Sequence, residues 1–171
     1  MKEKEQKDEV ELYAVSERVV RSLFGRGETV STAESCTGGL IAKSLTDIPG
    51  SSAVFPGGVV AYTNAVKSAL LGVSPRIFET ETEVSHACAK AMAKGAADAL
   101  GTTYAISVTG YAGPGGGTER DPVGTVYLGL HSPRGTESIR FSAPAGADRE
   151  AVRNAAALTA LAWLERILTE A

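Results

Sequence analysis

Residues 29–45 read TVSTAESCTGGLIAKSL, and their order of residue types indicates the fold class. The run from Thr29 to Ala33 has the composition of a short strand. A turn rich in hydroxyl groups and glycine follows it, and the apolar segment from Leu40 to Leu45 indicates a helix. A strand that passes through a tight turn into a helix is the repeating unit of parallel α/β sheets, so we expect that architecture here.

The rest of the chain continues this alternation of strands and helices until a late hairpin. Helical spacing predicts helices over residues 12–24, 64–71, 87–100 and 152–168, with Asn64 and Ser85 as N-caps of the second and third. Strands are predicted over residues 54–63, 103–108, 124–131 and 137–142, and residues 72–84 are predicted to form a loop. The last helix places one apolar stripe on Val152, Ala155, Leu158, Leu161, Leu164 and Leu168. We therefore predict an α/β fold, a three-layer α/β/α sandwich with a mixed, mostly parallel sheet and an antiparallel edge, in one domain spanning residues 1–171.

Composition excludes several classes of protein. The chain has 171 residues, of which 43% are hydrophobic and 22% charged, values typical of a single globular domain. No apolar run reaches the ~20 residues of a membrane span. The formal net charge of −3 argues against a nucleic-acid partner. Residues 1–9 form a charged and flexible tip without the apolar stretch of a signal peptide, so we expect a cytoplasmic protein.

The metal-ligating residues are few and scattered. Cys36 and Cys88 have no CxxC spacing, and the only histidines, His86 and His131, lie far apart. We therefore expect no metal site and no disulfide framework.

Two loops follow predicted strands, at the edge of the sheet where α/β proteins bind ligands. The loop from Gly110 to Thr118 lacks a Walker ending and suits either an anion or a flat ring, although a wide turn explains it equally well. The loop from Glu34 to Gly39 places Ser35 at a strand-to-helix turn. There the N–H groups of Thr37, Gly38 and Gly39 offer an oxyanion site.

A serine nucleophile needs a base, and no histidine stands in a suitable setting. Lys67, at the start of the helix after the second strand, becomes a base if burial beside Tyr62 lowers its pKa. Spacing alone also fits a structural reading, in which Ser35 caps a helix and Lys67 is a solvated lysine. Cys36 is a competing nucleophile, and a packing role fits it better.

Several long motifs then make the chain recognisable. They are TAESCTGG at 32–39, PGSS at 49–52, GVVAYTN at 58–64 with Lys67, SVTGYAGPGGGT at 107–118, PVGTVY at 122–127, and Asp148-Arg149 with Val152-Arg153. In this order they resemble the C-terminal domain family of the competence/damage-inducible protein CinA. The resemblance implies a three-layer α/β/α fold, homo-oligomers, and hydrolysis of nicotinamide mononucleotide to nicotinic acid mononucleotide and ammonia, without a cofactor.

The same resemblance implies serine–lysine catalysis at Ser35, Lys67, Tyr62 and Thr109. We expect Lys67 to act as the base, with Tyr62 as a relay, and Thr109 to orient the substrate or the serine. The phosphate of a nucleotide substrate would rest on the glycine-rich segment 113–118, the glycine loop, with help from a nearby arginine. The residues expected there are Gly113, Gly115, Gly116, Gly117, Thr118, Arg149 and Arg153.

This chain departs from the family pattern at three places. Tyr111 stands where isoleucine is common, His86 stands where glutamate is common, and Ala147 is an additional residue before Asp148-Arg149. The chain also resembles the stand-alone form, without the N-terminal domain of full-length CinA proteins. Two alternatives remain open, a non-catalytic nucleotide-binding module and an amidase for another amide.

Overall fold

The computed structural model describes the backbone of residues 2–170 and the side chains from Lys7 to Glu170. Six α-helices, one short 3-10 helix (Ser51–Ala53) and five strands make up this part of the chain. The helices are α1 (Lys2–Arg26), α2 (Leu40–Thr46), α3 (Asn64–Leu71), α4 (Pro75–Thr80), α5 (His86–Leu100) and α6 (Arg149–Glu170). The strands are β1 (Val30–Glu34), β2 (Gly57–Val60), β3 (Tyr104–Gly110), β4 (Thr125–Ser132) and β5 (Gly135–Ser142). Among these helices none is both long and apolar enough to cross a membrane.

The five strands form one mixed sheet in the order β2-β1-β3-β4-β5. Strands β2, β1 and β3 are parallel, whereas β4 and β5 are antiparallel to their neighbours. The hairpin closes tightly, since Ser132 pairs with Gly135 across Pro133 and Arg134. The predicted mixed sheet with an antiparallel edge is confirmed.

Helices cover both faces of the sheet because the side chains of β3 alternate between two apolar layers. Tyr104, Ile106 and Val108 pack with α1, α2 and α6 in the larger core. Ala105 faces the other way and packs with residues of α3 and α5. The predicted three-layer sandwich is therefore confirmed, and its parallel strands end at one common edge.

Local details differ from the predictions. Residues 75–80 form the short helix α4, which begins with proline at its first position, a favoured place for that residue. The N-cap of α3 is Thr63, whose hydroxyl accepts the N–H of Val66, so the prediction of Asn64 was wrong by one residue. The predicted cap Ser85 is confirmed by its bond from the N–H of Cys88.

The two terminal helices extend beyond their predicted bounds. Helix α1 begins at Lys2, so it includes most of the predicted tip 1–9, and Met1 lies outside the described residues. On α6 the predicted stripe is too narrow. Ala155 and Leu158 are only half-buried, and the side chains that complete the buried face are Ala156, Ala157, Ala160 and Trp163. Small alanines fit this face because α6 packs closely on both α1 and the sheet.

Candidate active site

The candidate residues meet at the carboxyl edge of the parallel strands. Ser35 directly follows β1, Tyr62 lies two residues beyond β2, and Thr109 lies near the end of β3. Together with Lys67 of α3 they line a pocket of about 240 Å³. The other residues of its wall are Cys36, Glu83, Val84, Gly110, Tyr111, Ala112, Gly113, Gly115 and Arg149.

Ser35 and Lys67 are in direct contact. The Nζ atom of Lys67 lies 3.1 Å from Oγ of Ser35, within the distance at which a base can take a proton. The N–H of Ser35 donates to the carbonyl of Val108 at 2.9 Å, which fixes the serine backbone against β3. Strand pairing therefore positions the serine, and the first turn of α3 positions the lysine.

Lys67 is 1% exposed, and it makes no ion pair among the described residues. Burial lowers the pKa of its ammonium group because the charged form loses its hydration. The negative forms of Cys88, Glu83 and Cys36 partly oppose this effect. The amine is therefore biased towards the neutral form, which can act as a general base.

Glu34 holds the turn that carries Ser35. Its carboxylate is 1% exposed and accepts the N–H groups of Gly39, Ile41 and Ala42 at 3.1, 3.1 and 2.8 Å. These N–H groups belong to the start of α2, where a helix has unpaired donors. Because Glu34 satisfies them, the positive end of α2 stabilises the turn and is not available to a substrate.

The expected oxyanion donors are only partly available. The N–H of Gly38 donates to the carbonyl of Ser35 at 3.0 Å, and that of Gly39 donates to Glu34. The expectation was therefore wrong for these two glycines, which instead shape the turn through positive φ angles of 61° and 98°. Within the described residues, the N–H groups of Cys36 and Thr37 have no hydrogen-bond partner.

Arg153 supports the same turn from α6. Its Nη2 donates to the carbonyl of Thr37 at 2.9 Å, but the residue does not line the pocket. Thr37 is fully buried and also lies outside the pocket wall. Arg153 therefore supports the turn, and Arg149 is the arginine that lines the pocket.

Tyr62 is hydrogen-bonded to Arg149, and among the described residues no hydrogen bond joins it to Lys67. Its side chain is 60% exposed, and its hydroxyl accepts Nη2 of Arg149 at 3.0 Å. Nη1 of Arg149 donates to the carbonyl of Gly113 at 2.6 Å. The expected relay through Tyr62 is therefore replaced by direct contact of Lys67 with Ser35. Tyr62 instead orients a cation at the outer end of the pocket.

The glycine loop contributes its first half to the pocket. Gly113 and Gly115 line it, whereas Gly116, Gly117 and Thr118 do not. Thr118 instead exchanges two hydrogen bonds of 2.9 Å with Asp121. A Cβ on Gly117 would lie 2.4 Å from the N atom of Val123, so this glycine is required by the loop itself.

Thr109 and Glu83 form a pair that the sequence does not reveal. Oγ1 of Thr109 donates to the carbonyl of Glu83 at 2.7 Å, so the threonine holds a neighbouring segment rather than the serine. Glu83 lines the pocket, and no sequence signal separates it from Glu79 and Glu81. Only the fold shows which of these three carboxylates reaches the site.

The competing nucleophile Cys36 is unsuitable. Burial raises the pKa of its thiol to about 12, so the reactive thiolate is scarce at neutral pH. His86, at the start of α5, contacts Ser138 and lies edge-on to Tyr127 outside the pocket. Among the described residues, no group of three or more His, Cys, Asp and Glu side chains is gathered as a metal site would require.

Comparison with known proteins gives consistent matches over most of the chain. Residues 12–168 match the family model of the CinA C-terminal domain. A CinA-like protein of Myxococcus xanthus is 52% identical over 154 residues, which cover 90% of this chain and 36% of that protein. A CinA-like protein of Synechocystis is 48% identical over 167 residues, covering 93% of this chain and 40% of that protein. The chain thus spans well under half the length of these relatives.

Solved structures agree with the fold. A crystal structure of a competence-damaged protein (CinA) superfamily protein from Klebsiella pneumoniae superposes with a TM-score of 0.89 at 34% identity, covering 94% of this chain and 99% of that one. The competence/damage inducible protein CihA from Agrobacterium tumefaciens gives a TM-score of 0.88 at 40% identity, covering 93% and 96%. The sandwich and its parallel edge are therefore shared with these proteins.

Proposed function

The chain belongs to the CinA C-terminal domain family, and we propose that it hydrolyses the carboxamide of nicotinamide mononucleotide to nicotinic acid mononucleotide and ammonia. The contact of 3.1 Å between Lys67 Nζ and Ser35 Oγ, inside a pocket and away from water, carries this proposal. A buried lysine without an ion pair lowers the stability of the fold. Such a lysine in contact with a serine hydroxyl is typical of a catalytic site.

In the first step Oγ of Ser35 attacks the carboxamide carbon while neutral Lys67 accepts the hydroxyl proton. A tetrahedral intermediate forms, and its negative oxygen needs preorganised donors. The N–H group of Cys36 is the suitable donor of this segment, because Cys36 lines the pocket and Thr37 does not, and the N–H groups of Gly38 and Gly39 are already bonded. The N–H after the nucleophile serves the same role in other strand-to-helix turns that carry a serine.

In the second step the carbon–nitrogen bond breaks, and Lys67 returns its proton to the departing nitrogen. The products are ammonia and an ester between the acyl group and Ser35. Water then attacks the ester, Lys67 takes the proton of the water, and the serine leaves with that proton. The product leaves as a carboxylic acid, which loses its proton to the solvent and becomes the carboxylate. Lys67 ends the cycle neutral, so the lysine acts as base and acid in turn.

A phosphorylated substrate suits the outer end of the pocket. Arg149 presents a guanidinium group there beside Gly113 and Gly115. Guanidinium groups form strong, charge-assisted hydrogen bonds with phosphate oxygens, and glycines permit a close approach to the backbone. Arg149 and Ser35 line the same pocket, so one nucleotide bridges the anion site and the nucleophile.

The test is ammonia release by the wild-type protein from nicotinamide mononucleotide and from free nicotinamide. The proposal predicts release from the mononucleotide and much slower release from nicotinamide, which cannot engage Arg149. Equal rates with both would show that the amidase does not use the phosphate. Binding of the mononucleotide without release would instead support a non-catalytic nucleotide-binding module.

A further inference from the structure

The segment before α5 has a strained backbone. Thr82 has a φ of +73°, which is rare for a β-branched residue. Its hydroxyl donates to the carbonyl of Val84 at 3.2 Å, and its own carbonyl accepts the hydroxyl of Ser85 at 2.9 Å. Strain of this kind persists only where the surroundings enforce it, and it is concentrated at functional sites.

The strained segment presents Glu83 to the pocket. Thr109 of β3 fixes the carbonyl of Glu83, and the bonds that Thr82 makes with Val84 and Ser85 hold the residues on either side of it. The carboxylate of Glu83 is half-buried and lines the pocket, yet it makes no hydrogen bond or ion pair among the described residues. A partly desolvated carboxylate without a partner is poised to meet a positive group of a ligand.

Tyr111 forms the adjoining wall. Its N–H donates to the carbonyl of Thr125 at 2.9 Å and its carbonyl accepts the N–H of Gly124 at 2.7 Å, which fix the backbone. The ring packs against a small cluster that contains Val84 and Tyr127. Burial raises the pKa of Tyr111, and the negative charges of Glu83 and Asp121 add to this effect, as expected of Glu83 and Tyr111 in one wall.

The pocket is therefore electrostatically uneven. Arg149 supplies positive charge at the outer end, whereas Glu83 contributes negative charge and Tyr111 an aromatic residue to the wall of the same pocket. From this arrangement we propose that Glu83 and Tyr111 select a positively charged aromatic ring in the substrate. The carboxylate attracts the cation directly, and the tyrosine ring attracts it through its electron-rich face.

This inference rests on the proposed function and adds a determinant of substrate specificity, the recognition of the ring's charge, that amide hydrolysis alone does not require. The pyridinium ring of nicotinamide mononucleotide carries a positive charge. Reduction to the dihydropyridine removes that charge and leaves the phosphate and the carboxamide in place. The two forms are thus a matched pair of ligands that differ in the property that Glu83 and Tyr111 are proposed to recognise.

The experiment measures binding of the oxidised and reduced mononucleotides by isothermal titration calorimetry, in a Ser35→Ala background that cannot turn them over. Binding should favour the oxidised form, and Glu83→Gln should reduce that preference about tenfold. Glu81→Gln removes the same charge from an exposed neighbour and should leave the preference unchanged. Tyr111→Leu should reduce the preference, whereas Tyr111→Phe should retain it.

An unchanged preference in both Glu83→Gln and Tyr111→Leu would overturn the inference. If the wild-type protein still released ammonia from the mononucleotide, the proposed function would stand without it. Absence of ammonia release would instead overturn the proposed function. The fluorescence of Trp163 and the circular dichroism of each variant report folding, and Tyr111→Leu provides an independent test if Glu83→Gln does not fold.

Discussion

Replacement of Lys67 by methionine should separate activity from stability. Methionine has a similar length and fits a buried site, but it cannot accept a proton. Because Lys67 contacts Ser35 at 3.1 Å, its loss removes the general base, and turnover should fall about 10²- to 10⁴-fold. The fold should gain stability, since an unpaired lysine that is 1% exposed is replaced by an apolar side chain. We expect a gain of about 1–3 kcal/mol in the free energy of unfolding.

The stability difference should depend on pH. Burial lowers the pKa of Lys67 in the folded chain, whereas the unfolded chain keeps the ordinary value of 10.5. Between these two values the unfolded chain binds more protons, so the stability of the wild-type protein rises with pH. The advantage of Lys67→Met is therefore fully present below the folded-state pKa of Lys67, and it shrinks as pH approaches 10.5.

Both effects can be measured on one preparation. Ammonia release gives the turnover, and urea unfolding followed by the single tryptophan, Trp163, gives the midpoint and slope. Lys90→Met, at an exposed position of α5, is the matched control and should change neither quantity appreciably. Activity of Lys67→Met within tenfold of the wild type would refute the base role. A lower free energy of unfolding for Lys67→Met than for the wild type would refute the claim that the buried amine of Lys67 destabilises the fold.

Further predictions concern the glycines, the turn and the pocket carboxylate. Gly95→Ala should destabilise the fold strongly, since its Cβ would lie 2.0 Å from a backbone oxygen of α3. Gly25→Ala has open space around its Cβ, and its free energy of unfolding, measured by thermal or urea unfolding, should rise by about 0.5 kcal/mol. Glu34→Ala should cost about 3 kcal/mol in the same assay, because three N–H groups of α2 lose their acceptor. Glu83→Gln should move the alkaline rise of the pH–rate profile to lower pH. The negative charge of Glu83 raises the pKa of Lys67, and its removal favours the neutral amine. A shift to higher pH would contradict this sign.

The fold was predictable because its main signals are local. The β-branched run of residues 103–108 and the glycine-rich turn after β1 each indicate their element without tertiary information. Helix α4 was missed because it is only six residues long, and its adjacent apolar side chains Ile77 and Phe78 are too few to show a helical period. The buried face of α6 was drawn too narrowly because close packing on two neighbours buries alanines that a single stripe leaves out.

The sequence indicated which residues form the site, but it indicated few of their hydrogen-bond partners. Ser35 and Lys67 stand in recognisable positions, and the fold brings them together. The bonds of Glu34 to the start of α2 depend on the path of the turn, so the loss of two expected oxyanion donors was not visible in the sequence. The same limit applies to Arg149, whose partner Tyr62 lies 87 residues away along the chain.

The central claim is that Ser35, with Lys67 as its base, hydrolyses an amide. The most direct measurement is ammonia release from nicotinamide mononucleotide by the wild-type protein, beside Ser35→Ala and the exposed control Ser52→Ala. We predict release by the wild type and by Ser52→Ala, with the loss of nearly all release in a folded Ser35→Ala. Release by Ser35→Ala at the rate of the wild type would contradict the account.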